Sequence, residues 1–187
     1  SLRARASATV VLSGWVASSP LPKPAVPVGG AAGCLRGSRA GPGLPVMRVL
    51  VVNAGSSSLK VDLVDAGEVV TSYTGLPDDR PHVDAVGHRI VHGGPDLVEP
   101  VVIDADIQRR LRDLVKLAPL HQSKSLDGLD AARRLLPNVP HVACFDTAFH
   151  ATLPPAAYTY ALPRQWREHW GVRRYGFHGL SHAWAAR

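Results

Sequence analysis

The sequence predicts an α/β domain that begins at residue 47 and is preceded by a disordered segment. Three observations support this fold class. The first 46 residues contain seven glycines and six prolines without hydrophobic periodicity, apolar strand runs begin directly after Met47, and helical patterns alternate with strands further along. The predicted division is therefore 1–46 and 47–187.

Residues 1–46 form the predicted extension. A segment this rich in glycine and proline cannot bury enough apolar surface to offset its chain entropy. An apolar run at 9–17 superficially resembles a secretory signal, but prolines follow where a small-residue cleavage site is needed. We therefore interpret the extension as a disordered linker or as sequence upstream of a start at Met47.

Five apolar runs predict the strands of the domain. They lie at 48–53, 59–64, 68–73, 84–91 and 141–145. Two longer segments with helical periodicity predict helices at 104–117 and 125–136. Asp104 is the predicted N-cap of the first of these. A short helix at 164–170 is predicted to end at Gly171, and Ser181 to cap a last helix.

The formal net charge of +6 is carried by the extension, which holds five basic residues and no acidic one. The domain is nearly neutral, because it contains 16 of the 21 basic residues and all 15 acidic ones. A nucleic-acid footprint requires a basic stripe on the folded domain, so that partner is not predicted. No apolar run approaches the roughly 20 residues that span a bilayer, so a membrane is not predicted either.

The two cysteines, Cys34 and Cys144, are isolated in the sequence. They form no CxxC pair and no disulfide framework, which argues against a structural zinc site. Cys144 lies in an apolar run and is predicted to be a buried thiol. This use of cysteine predicts a reducing cytoplasm.

The first motif that could carry chemistry is the strand–turn–strand segment Asn53–Lys60. Gly55 allows close approach to an anion, serine hydroxyls accompany the backbone N–H groups, and Lys60 supplies a compact positive charge. The segment is not a Walker A loop, which requires GxxxxGK[ST] before a helix. The alternative is a polar hairpin turn without a ligand.

The second motif is Gly87–Gly94, in which a strand leads Arg89 to a glycine pair. Arginine is the preferred fork for a carboxylate or phosphate. The alternative is a structural arginine paired with a nearby acid. His88 and His92 lie four residues apart on one predicted strand face without a third ligand, so a metal site is not predicted.

Two further segments place polar residues at element ends. His121 follows Ala118-Pro-Leu at the predicted exit of a helix, where a satisfied loop histidine is the alternative. Asp146 follows the strand at 141–145, and ligands in open α/β sheets gather beyond the carboxyl ends of strands. Asp146 could therefore orient or deprotonate a substrate or hold Mg²⁺ through water, or it could cap a turn. His150 has no predicted role.

The last motif is Arg173–His182, where His178 lies between Gly176 and Gly179. An imidazole donor at such a turn could stabilise charge on a transferring phosphoryl group. His178 and His182 also resemble a zinc pair, but HGLSH lacks the glutamate of HExxH. A zinc hydrolase is therefore a weak alternative.

Together these segments resemble the acetate kinase family in order and wording. That family carries NAGSSSLK, GHR-VHGG, PLH, FDTAFH, ALP and RRYGFHG-SH segments. They occur here at Asn53–Lys60, Gly87–Gly94, Pro119–His121, Phe145–His150, Ala161–Pro163 and Arg173–His182. The resemblance covers 47–187 and implies the N-terminal domain of an actin-like ATPase (ribonuclease H-like) fold, as in sugar kinases and Hsp70.

The resemblance also implies a reaction, in which Mg²⁺ (or Mn²⁺) and ATP support phosphoryl transfer to acetate. Acetyl phosphate and ADP are the implied products. The resemblance implies that Asn53 binds Mg²⁺, that Lys60, Ser56 and Ser58 bind the phosphates of ATP, and that Arg89 binds the carboxylate or acyl phosphate. It also implies that His121 borders the phosphoryl site, that Asp146 transfers a proton and that His178 stabilises the transition state. Such transfer depends on positioning and on neutralising the charge of the equatorial oxygens.

Two departures from the family pattern qualify these expectations. Gln122 and Ser123 stand where the family usually has Asn-Pro after PLH. The family's later asparagine, second arginine, adenosine segment and metal-binding glutamate have no counterpart before Arg187, so we expect an incomplete domain that is inactive alone. A full-length homodimer is also expected. A propionate or butyrate kinase and a non-catalytic phosphate-binding module remain the alternatives.

Overall fold

The computed structural model describes residues 47–55 and 58–186 of the chain. The predicted extension therefore lies outside the described residues, as does Ser56. The strands are β1 Arg48–Ala54, β2 Leu59–Asp65, β3 Glu68–Thr74, β4 Ala85–Ile90, β5 Val101–Val102 and β6 His141–Phe145. The α-helices are α1 Ala105–Asp113, α2 Pro119–Leu135, α3 Pro155–Tyr158, α4 Arg164–Trp170 and α5 Gly179–Ala185. Two 3₁₀ helices follow α1 and β6, at Leu114–Leu117 and Asp146–His150.

The six strands form one mixed sheet in the order β3-β2-β1-β4-β6-β5. β1, β4 and β6 are parallel, while β2 and β3 continue the sheet from β1 as antiparallel strands and β5 pairs with β6 in the same way. The carboxyl ends of β1, β4 and β6 consequently lie side by side. The α/β class predicted from the sequence is confirmed.

Both faces of the central strands are buried. On one face, α2 packs against the sheet with Leu126, Leu129 and Ala132. On the other, Val49, Val51 and Cys144 form a separate apolar cluster. Continuous burial explains why these strands read as unbroken apolar runs. Burial of Cys144 was predicted correctly, and it raises the pKa of the thiol to about 12.

The helices differ from the sequence expectations at three places. Helix α2 begins at Pro119 and not at residue 125, because proline is well suited to the first helical turn and the polar residues after it still continue the helix. The segment 104–117 is divided between α1, which Asp104 caps as predicted, and a 3₁₀ helix. Ser181 lies inside α5, whose N-cap residue is His178.

The strand predictions hold within two residues, and the short strand β5 was not predicted. Helix α4 has the predicted bounds and ends at Gly171, which has the left-handed conformation. Among the described residues, none of the helices combines the length and the apolar character needed to cross a membrane.

Candidate active site

Three polar side chains meet at the carboxyl ends of the central strands, and we call them the strand-end cluster: Asn53, Arg89 and Asp146. Arg89 Nε and Nη2 donate to Asp146 Oδ2 at 3.0 and 2.7 Å. Arg89 Nη1 donates to Asn53 Oδ1 at 3.0 Å. The Asp146 side chain is only 1 % exposed, and that of Arg89 is 20 % exposed. The cluster is thus a charged network in which the carboxylate is enclosed, while the arginine and the asparagine are partly exposed.

The sheet explains why these three residues meet. Arg89 lies in β4, between β1 and β6, which carry Asn53 and lead directly into Asp146. Arg89 is the register partner of Cys144 in β6. Asp146 follows two residues after Cys144, just beyond the end of β6, and therefore lies beside Arg89. The structure therefore contains the arginine–acid pair that the alternative interpretation assumes. The same fork geometry suits an external carboxylate or phosphate, so the pairing does not exclude ligand binding.

The β1–β2 hairpin adds Lys60 to the neighbourhood of the cluster. Lys60 is the register partner of Asn53 across the antiparallel pair. Directly opposed residues of a ladder present their side chains on the same face of the sheet. The Gly55 N–H donates to the Ser58 carbonyl at 2.9 Å and closes the turn. Lys60 and Ser58 are both exposed, which leaves them accessible to a soluble anion.

His121 lies in the first turn of α2, not in the loop that was expected. Its side chain is exposed, whereas the next residue, Gln122, is completely buried. The Gln122 amide forms two hydrogen bonds with the backbone of His92, which follows β4. The structure thereby connects the His121 segment to the Arg89 segment through Gln122 and the backbone.

Residues 92–94 form a tight turn after β4. Gly94 has a φ of +68°, and a Cβ at Gly93 would collide with the carbonyl oxygen of Leu97. The Gly93 N–H donates to Thr147 Oγ1 at 2.9 Å, so the turn is fixed to the residue after Asp146. Glycine is required here for close packing of the turn against the protein itself.

Residues 176–179 form a second tight turn, the His178 turn, before α5. A Cβ at Gly179 would collide with the Asp146 carbonyl oxygen, and one at Gly176 with the His150 ring. The N–H of Leu180 donates to Asp146 Oδ1 at 3.3 Å. The His178 turn is thus docked on the 3₁₀ helix that begins at Asp146.

His178 itself is exposed and has a φ of +56°, in the left-handed region that non-glycine residues rarely adopt. Such strained residues cluster at functional sites. His150 Nε2 is 3.0 Å from the Phe177 carbonyl oxygen, adjacent to His178. His150, without a role in the sequence analysis, therefore contributes to the docking of this turn.

His88 and His92, which lie four residues apart in the sequence, contact different neighbours. His88 Nε2 lies 2.9 Å from His141 Nδ1 in the interior, whereas His92 lies beyond the end of β4 and its ring makes an edge-to-face contact with the Tyr175 ring. Burial lowers the pKa of His88 well below its usual value, and the nearby His141 lowers it further. Burial also lowers the pKa values of His92 and His141. The described residues contain no group of three or more potential ligands placed to hold a metal ion by themselves.

The structure thus joins Asn53, Arg89 and Asp146 directly and brings His178 beside Asp146 through the docked turn. Lys60 lies opposite Asn53 on β2, and His121 precedes Gln122, which contacts the turn after β4. Sequence reasoning missed the contacts of Gln122, Thr147 and His150. Thr147 and His150 stand inside the segment that supplied Asp146, and Gln122 was noticed only as a departure from the family pattern.

Comparison with known proteins identifies relatives of this arrangement. The sequence profile of the Acetokinase family matches residues 72–187. The acetate kinase of Leifsonia xyli subsp. xyli (strain CTCB07) is 42 % identical over 74 % of this chain and 46 % of its own length. The chain therefore spans about half the length of this relative.

Solved structures are similar over the same portion. A propionate kinase from Francisella tularensis subsp. tularensis SCHU S4 matches with a TM-score of 0.64 and 28 % identity, over 73 % of this chain and 46 % of that one. The acetate kinase of Porphyromonas gingivalis matches with a TM-score of 0.63 and 33 % identity, over the same shares. These matches confirm the fold that the resemblance implied.

Proposed function

This chain belongs to the acetokinase family, and on that premise we propose that a full-length protein carrying it is an acetate kinase. The reaction would be the reversible transfer of the γ-phosphoryl group of ATP to acetate, giving acetyl phosphate and ADP. The observation that supports it best is the strand-end cluster, where a partly exposed arginine fork lies beside a buried carboxylate. The matched relatives also act as kinases, by their names.

In this proposal Arg89 binds the carboxylate of acetate or the phosphoryl group of acetyl phosphate. Its side chain is 20 % exposed, so an anion can reach the guanidinium without unfolding of the sheet. Asp146 holds the guanidinium orientation through two hydrogen bonds. A carboxylate nucleophile needs no deprotonation near neutral pH, so this orientation is the main task assigned to Asp146.

We assign Lys60, with Ser56 and Ser58 of the adjoining turn, to the phosphates of ATP. The support is the position of Lys60 opposite Asn53 in the hairpin and the exposure of both Lys60 and Ser58. His121 and His178 would border the transferring group from two sides. An imidazole donor can stabilise charge that develops on the equatorial oxygens.

The donor set of the cluster fits Mg²⁺ (or Mn²⁺) bound together with ATP. Asn53 Oδ1 could bind the ion directly and the Asp146 carboxylate could do so through water, and Mg²⁺ typically combines one or two protein groups with substrate phosphates and water. When bound, the ion would neutralise phosphate charge. Asn53 keeps a second lone pair beside the hydrogen bond from Arg89, so it can serve both partners.

The test is acetyl phosphate formation from ATP, acetate and Mg²⁺ by the complete gene product. We expect activity in the wild type, and a loss of at least about 100-fold in Asp146→Asn and Arg89→Ala. Arg164→Ala is the matched control, because Arg164 forms an exposed ion pair with Glu168. Wild-type protein that binds acetyl phosphate but transfers no phosphoryl group would instead support the phosphate-binding module.

A second candidate is a propionate or butyrate kinase, which the structural match to a propionate kinase favours. Relative kcat/KM values for acetate, propionate and butyrate separate the candidates. The 187-residue chain alone is expected to be inactive, because the family's adenosine segment has no counterpart among its motifs. Turnover by the isolated chain would contradict this expectation.

We further propose that residues 1–46 are an extension separate from the domain at 47–187, and that the complete protein is a cytoplasmic homodimer. The family resemblance supports the dimer, and isolated cysteines with one buried thiol support the compartment. Light scattering of the complete protein, with and without residues 1–46, tests both the assembly and the extension.

A further inference from the structure

Gln122 is a buried polar residue at the start of α2. Both polar atoms of its side-chain amide form hydrogen bonds with the backbone of a single residue, His92. The His92 N–H donates to Gln122 Oε1 at 3.1 Å, and Gln122 Nε2 donates to the His92 carbonyl at 3.1 Å. The side chain is fully enclosed, with 0 % exposure. A buried amide with both partners satisfied fixes two segments at a defined distance and angle.

The turn that Gln122 contacts is also held from another direction. The Gly93 N–H donates to Thr147 Oγ1 at 2.9 Å, and the Gly94 N–H donates to His92 Nδ1 at 2.8 Å. Residues 92–94 are therefore fixed between α2 and the 3₁₀ helix at Asp146–His150. The backbone N–H groups of residues 92–94 all donate hydrogen bonds to side chains, and none of them donates to a neighbouring strand.

The same turn lies between the segments that carry the candidate acyl-phosphate residues. Arg89 is three residues before His92, His121 is directly before Gln122, and Asp146 is directly before Thr147. A displacement of the turn would thus shift these segments relative to one another. Lys60, on the ATP side of the candidate site, is farther from this turn, because it lies on β2, two strands away from β4 in the sheet.

We propose that Gln122 is a positioning residue for the acyl-phosphate side of the site. It ties the first turn of α2 to the turn after β4, and so sets the separation of His121 from Arg89. This inference rests on the proposed function.

The experiment measures both Michaelis constants of the complete protein. In Gln122→Met, which keeps the volume and loses both hydrogen bonds, we expect the KM for acetate to rise about tenfold while the KM for ATP stays within about twofold. Gln122→Asn keeps an amide that is too short to reach both His92 groups. Its KM for acetate should lie between those of the wild type and Gln122→Met.

Gln108→Met is the matched control. The Gln108 amide also makes two hydrogen bonds to α2, donating to Asp130 at 2.7 Å and accepting from Arg133 at 2.8 Å, but it does so away from residues 92–94. It should leave both KM values unchanged. A purely structural role of Gln122 would lower the amount of folded enzyme without separating the two KM values, and that result would overturn the proposal.

Two further measurements test the positioning role of Gln122 separately from the proposed reaction. If Gln122→Met does not fold, Gln122→Asn alone must raise the KM for acetate and not that for ATP. Amide hydrogen exchange at Gly93 and Gly94 should accelerate in the Gln122 variants and not in Gln108→Met. Unchanged exchange in the Gln122 variants would show that Gln122 does not fix the turn, and would overturn the proposal. A wild-type protein without phosphoryl transfer would overturn the proposed function, and with it the kinetic role of Gln122.

Discussion

The strand-end cluster and the His178 turn support the candidate site in two different ways. In the cluster, Asp146 is 1 % exposed and its charge is balanced by Arg89 at 2.7 Å. In the turn, His178 is exposed and held in a left-handed conformation by a backbone docked on the 3₁₀ helix. The sheet thus pre-organises charged side chains inside the domain, whereas surface packing pre-organises a single imidazole.

This difference predicts how the two regions respond to substitution. A buried ion pair is weak evidence for net stability, but removal of one partner leaves an uncompensated charge. An exposed side chain makes few contacts, so its removal leaves the fold intact. Stability and function should therefore be lost together in the cluster and separately at His178. Three substitutions test this contrast, and a change of pH tests the interior beside the cluster, in order from the largest expected effect on stability to the smallest.

Arg89→Ala should have the largest effect. It leaves the buried carboxylate of Asp146 without its cation, so the free energy of unfolding should fall by about 3–5 kcal/mol. Urea denaturation near pH 7 measures this quantity. In Arg164→Ala the broken pair with Glu168 is exposed, and the fall should stay below about 1 kcal/mol. Equal losses in the two variants would contradict the contrast between buried and surface charge.

Gly179→Ala should have the next largest effect, because its methyl group would collide with the Asp146 carbonyl oxygen and separate α5 from the cluster. We expect a loss of about 3 kcal/mol in the free energy of unfolding. Gly171→Ala is the control, since Gly171 has a φ of +60° but no atom within 4 Å of the position that the new methyl group would take. There, only the left-handed strain of about 1 kcal/mol applies. Similar losses would show that α5 is not docked as described.

Acidification should destabilise the interior next to the cluster. Burial lowers the pKa values of His88 and His141 below that of an unfolded histidine. Below about pH 6.5 the unfolded chain binds more protons than the folded one, so the free energy of unfolding should fall as pH falls. Above that value these histidines are neutral in both states and their contribution is constant.

The expected slope is at most about 1.4 kcal/mol per pH unit for each histidine. Urea denaturation at several values between about pH 7.5 and about pH 5.5 measures it. His88→Leu should reduce the slope, whereas Leu129→Val, a substitution in the same half of the core without a titrating group, should preserve it. A slope that is unaffected by His88→Leu would contradict the assignment of a neutral buried imidazole.

His178→Gly should have the smallest effect on stability. Relief of the left-handed strain opposes the greater entropy of glycine in the unfolded chain, so the free energy of unfolding should change by less than about 1 kcal/mol. Phosphoryl transfer by the complete protein should nevertheless fall about 100-fold. Unchanged turnover with unchanged stability would remove His178 from the proposed site.

Much of the domain could be predicted because its elements carry local signals. The strands after Met47 read as apolar runs, and Gly171 ends α4 as expected from its left-handed preference. The start of α2 was misplaced because Pro119 to Lys124 includes polar and exposed residues, without an apolar period. Ser181 was wrongly assigned as a cap because the start of α5 depends on contacts of Gly179 and Leu180 with Asp146, distant in the sequence.

The amino-acid sequence by itself determined the class of fold, the family and the residue types of the candidate site. Each is encoded in short segments, where composition and spacing are sufficient. Only the tertiary structure decided which of these residues meet. The pairing of Arg89 with Asp146 and Asn53 depends on the order of β1, β4 and β6, and the tie between Gln122 and His92 depends on where α2 crosses the sheet. Such long-range contacts leave no local pattern, because the partners are 30 or more residues apart.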